Sequence, residues 1–124
     1  MSKFVDYQKV RAFHVKVTPE AQGAGNEVVI DIPAGSIVSV KAAVATVFDG
    51  TSPTITVADT TGRTYVNAAD AATVGIKGSA DGYLKADGSV TVSIGGSGST
   101  AGEAYVQVVY TNEELSDGTW SNDG

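Results

Sequence analysis

The sequence predicts an all-β protein, a single-domain two-layer β-sandwich of jelly-roll or Greek-key type with extended arms at both ends. Three observations predict it. Short runs alternate apolar and polar residues, as in Glu27-Val28-Val29-Ile30-Asp31-Ile32, and a period of two places every second side chain on one face of a sheet. Turn residues close nearly every run: the chain has 15 glycines, and seven or eight strands with turns about 8 to 12 residues apart describe a sandwich or barrel. At 124 residues the chain is one domain in size, able to bury about two thirds of the surface its unfolded form exposes, so it needs neither metal nor disulfide to fold.

Residues 1–10 mix Phe4, Val5 and Tyr7 with charges and show no period, so an N-terminal arm is expected there and the sandwich over 11–111. The first strand, Arg11 to Val17, sets Phe13, Val15 and Val17 on one side and His14 and Lys16 on the other. Pro19, Gly23 and Gly25 mark 18–26 as a loop. The second strand starts at Glu27, with Val28, Ile30 and Ile32 inward and Glu27 and Asp31 in water. Pro33-Ala34-Gly35 then turns the chain, proline presetting φ and glycine relieving the reversal. A long third strand, Ile37 to Phe48, aligns Val38, Val40, Ala42, Val44, Thr46 and Phe48 on one face. Its other face carries Ile37, Ala43, Ala45 and Val47 beside Ser39 and Lys41. A strand apolar on both faces is expected to be covered on both, as a central strand or at a subunit contact.

Asp49 to Pro53 forms the next turn, Thr54 to Asp59 a strand with Ile55 and Val57 inward, and Thr64 to Asn67 a short strand. In the middle, 68–72 has the composition of one helical turn, 74–78 that of an edge strand, and Asp81-Gly82 and Asp87-Gly88 read as hairpin turns around Tyr83 and Leu84. The alternation returns in Ser89 to Ile94. A flexible Gly95–Gly102 connection leads to the last strand, Glu103 to Tyr110, where Ala104, Val106, Val108 and Tyr110 share a face. Residues 112–124 have no period and read as a C-terminal arm. Two hallmarks of antibody-type domains are missing, since the chain has no cysteine and its one tryptophan lies in that arm.

Charge narrows the function. The net charge of −6 repels phosphate backbones, so nucleic acid is not an expected partner. No apolar stretch approaches the about 20 residues that span a bilayer, and the first residues lack a signal-peptide core, so a soluble protein that meets no membrane is expected. The ends are oppositely charged: Lys3, Lys9, Arg11 and Lys16 stand against Asp6, whereas from Glu103 onward the chain has acids and no base. Such ends attract each other or those of neighbouring copies, unless they are simply solvated.

No catalytic constellation is evident. His14, the only histidine, alternates with Phe13 and Val15 as a half-exposed structural side chain does, with no nucleophile and orienting group beside it. Most acids with a distinctive setting, Asp49, Asp81, Asp87 and Asp117, precede glycine in turns, where their side chains bond nearby backbone. Neither an EF-hand nor an Asp-x-Asp-x-Asp run occurs, so no metal is expected. Gly95, Gly96 and Gly98 are followed by no Lys-Ser or Lys-Thr and open no helix, so no phosphate or other cofactor is expected there.

In order and spacing, Ile30-Asp-Ile-Pro-Ala-Gly, then Ser36-Ile-Val-Ser-Val-Lys-Ala-Ala-Val, Phe48-Asp-Gly-Thr, Thr54-Ile-Thr-Val-Ala-Asp and Gly98-Ser-Thr-Ala-Gly-Glu-Ala-Tyr-Val-Gln-Val-Val-Tyr resemble small structural proteins of tailed bacteriophages. The likeness is to capsid decoration, or cement, proteins and to related pieces of head fibres. It implies a non-enzymatic protein that binds the major capsid protein on the outside of an icosahedral shell, often as a homotrimer, in virions assembled in the host cytoplasm. The residues expected to make the contact are Phe4, Tyr7, Lys9 and Arg11 at one end and Leu115 and Trp120 at the other, because aromatic and arginine anchors gain binding energy as a segment orders. A rival contact is the two-sided third strand, through Ile37 and Val47. Alternatives are a tail, neck or head-fibre role and a carbohydrate-binding adhesion module.

Overall fold

The computed structural model describes residues 10–112 of the chain. Within them lie eight strands: β1 (Val10–Val17), β2 (Glu27–Ile32), β3 (Ser36–Thr46), β4 (Thr51–Asp59), β5 (Thr64–Asp70), β6 (Gly75–Leu84), β7 (Gly88–Ser97) and β8 (Glu103–Asn112). They form two four-stranded antiparallel sheets, in the orders β1-β8-β3-β6 and β2-β7-β4-β5. Successive strands repeatedly cross between sheets, and each sheet is built from both halves of the chain. This is the eight-stranded jelly roll, the more specific of the two expected topologies.

The core lies between the sheets. Val38, Val40, Ala42 and Val44 of β3 and Ala104, Val106, Val108 and Tyr110 of β8 are buried from one layer, and Ile55, Val57, Val90, Val92 and Ile94 from the other. Phe13 adds to the edge of that core, stacked on Tyr110 with ring centroids 6.3 Å apart. The two-residue period was therefore the right guide for β3, β4, β7 and β8.

Several expectations are corrected. Val28 is 61% exposed, because a bulge between Val28 and Ile30 shifts the phase of β2 and turns Val29 and Ile30 toward the core instead. The third strand ends at Thr46, which is exposed; Phe48 is buried from the loop beyond, where its N–H donates to the Ala71 carbonyl. Among the described residues only the inner face of β3 is covered: it is a central strand, but no described residue lies over its outer face. The loop after β1 holds a short 3-10 turn, Pro19–Ala21, that buries Ala21.

The largest difference is in the middle. No helical turn forms at 68–72; β5 runs to Asp70, and β6 is a ten-residue strand with Asp81 and Gly82 inside it, paired with Ser39 and Val38. Gly78, Ala80 and Gly82 are small because β5 side chains cross their inner face. A Cβ on Gly78 would meet Val66 at 2.9 Å, and one on Gly82 would meet Arg63 at 2.5 Å and the Tyr65 hydroxyl at 2.8 Å. Gly95 and Gly96 likewise belong to β7, and the tip that follows is tied down. Asp49 accepts hydrogen bonds from the Thr100 and Ala101 N–H groups at 2.7 and 3.0 Å, and the Ser99 N–H donates to Gln22. Asp49 thus bonds backbone far along the chain, not its own turn.

Candidate interaction surface

The sheet β1-β8-β3-β6 presents an outer face that nothing in the chain's described residues covers. Its composition follows from register. Thr111, Ile37 and Tyr83 align in one row across β8, β3 and β6. Next come Ala12, Val109, Ser39 and Asp81, then His14, Gln107, Lys41 and Ser79. The last full row is Lys16, Tyr105, Ala43 and Ile76. Because side chains alternate between faces, residues opposite core positions of each strand necessarily point outward.

The result is a polar, partly basic middle between two apolar ends. Ile37 is 61% and Tyr83 51% exposed at one end, and Ile76 is 72% exposed at the other. Exposed apolar side chains grouped on a face between polar ones mark contact surfaces more than scattered ones do. The outer face of the other sheet carries the hydroxyl residues Thr54, Thr56, Ser89 and Ser93, with Thr91 buried among them and Val28 exposed in register with it.

Two interactions fix side chains on the open face. Lys16 of β1 pairs with Glu103 of β8 at 2.9 Å. The hydrogen bond from Lys16 and its charge hold the Glu103 carboxyl below the usual range, and the same partner raises the Lys16 ammonium. His14 rests on the Tyr105 ring, centroids 4.9 Å apart.

Of the residues expected to make contacts, Ile37 lies on this face, and Arg11 is exposed on the edge strand β1, in register with Tyr110. Val47 is exposed just past the far end of β3. At about 3.3 Å per strand residue, Ile37 and Val47 stand some 30 Å apart, so no single small contact uses both. Phe4, Tyr7, Lys9, Leu115 and Trp120 lie outside the described residues. The sequence does not single out Tyr83, because Asp81-Gly82 reads as a turn, and it places Ile76 in an edge strand without marking it as a contact. The available signal was small residues, Gly78, Ala80 and Gly82, alternating with larger polar ones.

Elsewhere the polar groups are structural. Asp59, buried at the end of β4, accepts hydrogen bonds from the Thr61 N–H and hydroxyl, the Arg63 N–H and the Tyr65 hydroxyl, at 2.9, 2.7, 3.1 and 2.7 Å. Burial raises its carboxyl pKa, but these donors outweigh burial and hold it below the ordinary value. Burial and the neighbouring carboxylate push the Tyr65 hydroxyl well up. A recess of about 500 Å³ holds Asp31 and Asp87, each already accepting a bond, from Ser89 and from the Ala34 N–H. Among the described residues no three His, Cys, Asp or Glu side chains are grouped to hold a metal ion, and no helix is long and apolar enough to cross a membrane.

The fold and this surface define an eight-stranded jelly roll with one hydroxyl-rich and one partly apolar outer face. No protein-family model matches the chain. No curated protein matches it either. Among solved structures it is similar to a chain in the acid-stable capsid of Helicobacter pylori bacteriophage KHP30, with a TM-score of 0.63 and 13% identity over 82% of this chain and 86% of that one. It is also similar to a chain in the capsid asymmetric unit of cyanophage Pam1, with a TM-score of 0.55 and 19% identity over 90% and 89% of the two chains. At these identities the likeness is one of fold.

Proposed function

We propose that the protein is a non-enzymatic structural component of a bacteriophage virion that binds the outer surface of an icosahedral capsid and stabilises the expanded shell. One observation carries the reading: the jelly roll corresponds nearly end to end with chains of similar length found in two phage capsids. Each of those two chains is matched over most of its own length, so each is itself a small jelly roll and not a much larger protein matched in one part.

The partner in this reading is the major capsid protein, and the contact is the outer face of β1-β8-β3-β6. The protein assembles as a homotrimer on the virion surface, after the shell has formed in the host cytoplasm. Shell expansion strains contacts between coat subunits, and a protein that bridges several of them only in the expanded state shifts the equilibrium toward that state by linkage. Apolar ends flanking a polar band suit such bridging: the ends give burial, and the band fixes orientation.

Co-sedimentation of the purified protein with unexpanded and with emptied, expanded shells of its phage tests the proposal. Saturable binding to expanded shells alone is expected. Equal binding to both, or to neither, overturns it.

A further inference from the structure

β6 and β8 run in the same direction, each antiparallel to β3 between them, so Leu84 and Asn112 finish at the same end of the sheet, both aligned with Ser36. Strands lie about 4.8 Å apart, which places Asn112 about 10 Å from Leu84. The 12 residues that follow Asn112 open with Glu113-Glu114-Leu115-Ser116-Asp117. At this same end the fold has built a recess of about 490 Å³ lined by Thr61, Gly62, Arg63, Tyr83, Lys85 and Ala86. Among the described residues the Arg63 and Lys85 side chains form no ion pair. Between the recess, which Tyr83 lines, and Asn112 lies the exposed Ile37 of β3, in register with Tyr83.

We infer that the acidic segment 113–117 of the chain docks on its own Arg63–Lys85–Tyr83 recess, crossing Ile37. The sequence of chemistries agrees. Two glutamates are followed by a leucine and an aspartate, and the surface offers two cations beside two apolar side chains. Reach agrees as well, since two extended residues span about 7 Å and a glutamate and a lysine side chain cover the rest. The recess is preformed: the Arg63 stem lies over Gly82, where a Cβ would approach it to 2.5 Å, and the Asp59 carboxylate holds the Arg63 backbone. Burial of Leu115 on Ile37 and Tyr83 supplies what exposed ion pairs alone do not. The inference concerns the free protein, in which the docked segment covers the Ile37 and Tyr83 end of the face that the shell reading uses and leaves the Ile76 end open.

Carbodiimide cross-linking, which joins only amines and carboxylates in direct contact, followed by mass spectrometry, tests it on the full chain mixed from light and nitrogen-15-labelled protein. The expected product links Lys85 to Glu113 or Glu114 with both peptides of one isotope, and it disappears in Lys85→Gln and in 1 M salt, where screening shortens to about 3 Å. The Glu113→Gln/Glu114→Gln variant must lose the same product, with its circular dichroism spectrum matching that of the unmodified protein. Four results overturn the inference: no link to Lys85, links only to Lys3 or Lys9, mixed-isotope links only, or a product indifferent to salt.

Discussion

Replacing Asp59 with alanine removes the one buried carboxylate that organises the β4–β5 hairpin. Four donors lose their acceptor at once. The Thr61 and Arg63 N–H groups belong to exposed residues and recover water, but the Tyr65 hydroxyl is buried and does not. An orphaned buried hydroxyl costs about 1 to 3 kcal/mol and each re-solvated bond about 0.5 to 1.5 kcal/mol, so a loss of about 3 kcal/mol is expected at pH 7. For a domain of this size that lowers Tm by about 10 to 20 °C. Tyr65→Phe should rescue part of it, leaving the double variant about 1 kcal/mol or more better than the sum of the singles. Because the folded Asp59 pKa lies below its ordinary 3.8, its contribution is complete well above pH 3.8 and fades as pH falls through and below that value. Asp59→Asn should flatten that part of the acid limb. Urea denaturation followed by circular dichroism between pH 7 and pH 3 measures all of this. A loss under about 1 kcal/mol for Asp59→Ala, or strict additivity with Tyr65→Phe, would refute the reasoning.

Other outcomes follow from the same structure. Phe48→Ala empties a fully buried site beneath Gly102 and should cost about 3 to 5 kcal/mol by denaturant titration. Gly102→Ala, at φ +153° with Phe48 2.5 Å from the added Cβ, should destabilise as well, and more than Gly98→Ala, which meets nothing within 4 Å. Ile76→Glu should change stability by no more than about 0.5 kcal/mol, as its side chain is in water, yet weaken shell binding in a pelleting assay. Light scattering should return three times 12.6 kDa for the trimer; a monomer at micromolar concentration would count against it.

Much of the fold was legible because burial on one face writes itself as alternation. β7 alternates Val90, Val92 and Ile94 with hydroxyl residues, β3 and β8 each keep one parity apolar almost throughout, and those parities are the core. Legibility failed where one sheet's side chains fill space over another strand. β6 reads as turns and edge because Gly78 and Gly82 yield to Val66, Arg63 and Tyr65, partners about 12 to 19 residues away that local pattern does not announce. β2 failed at its bulge, which a period of two does not foresee. Asp59 was seen as the end of a strand, since its role depends on a tyrosine six residues on whose ring is buried only after both sheets close. Of the contact residues, Ile37 was legible from parity, whereas Tyr83 became one only once β6 was known to be a strand.

The measurement closest to the central claim is the temperature at which emptied, expanded shells of the phage come apart, with and without saturating amounts of this protein. A protein that binds the expanded shell and not its dissociated subunits must raise that temperature, and the rise must grow with free protein concentration. A rise that keeps growing with free protein concentration and is lost in Ile76→Glu is the expected result. An unchanged temperature at full occupancy would contradict a stabilising role on the shell.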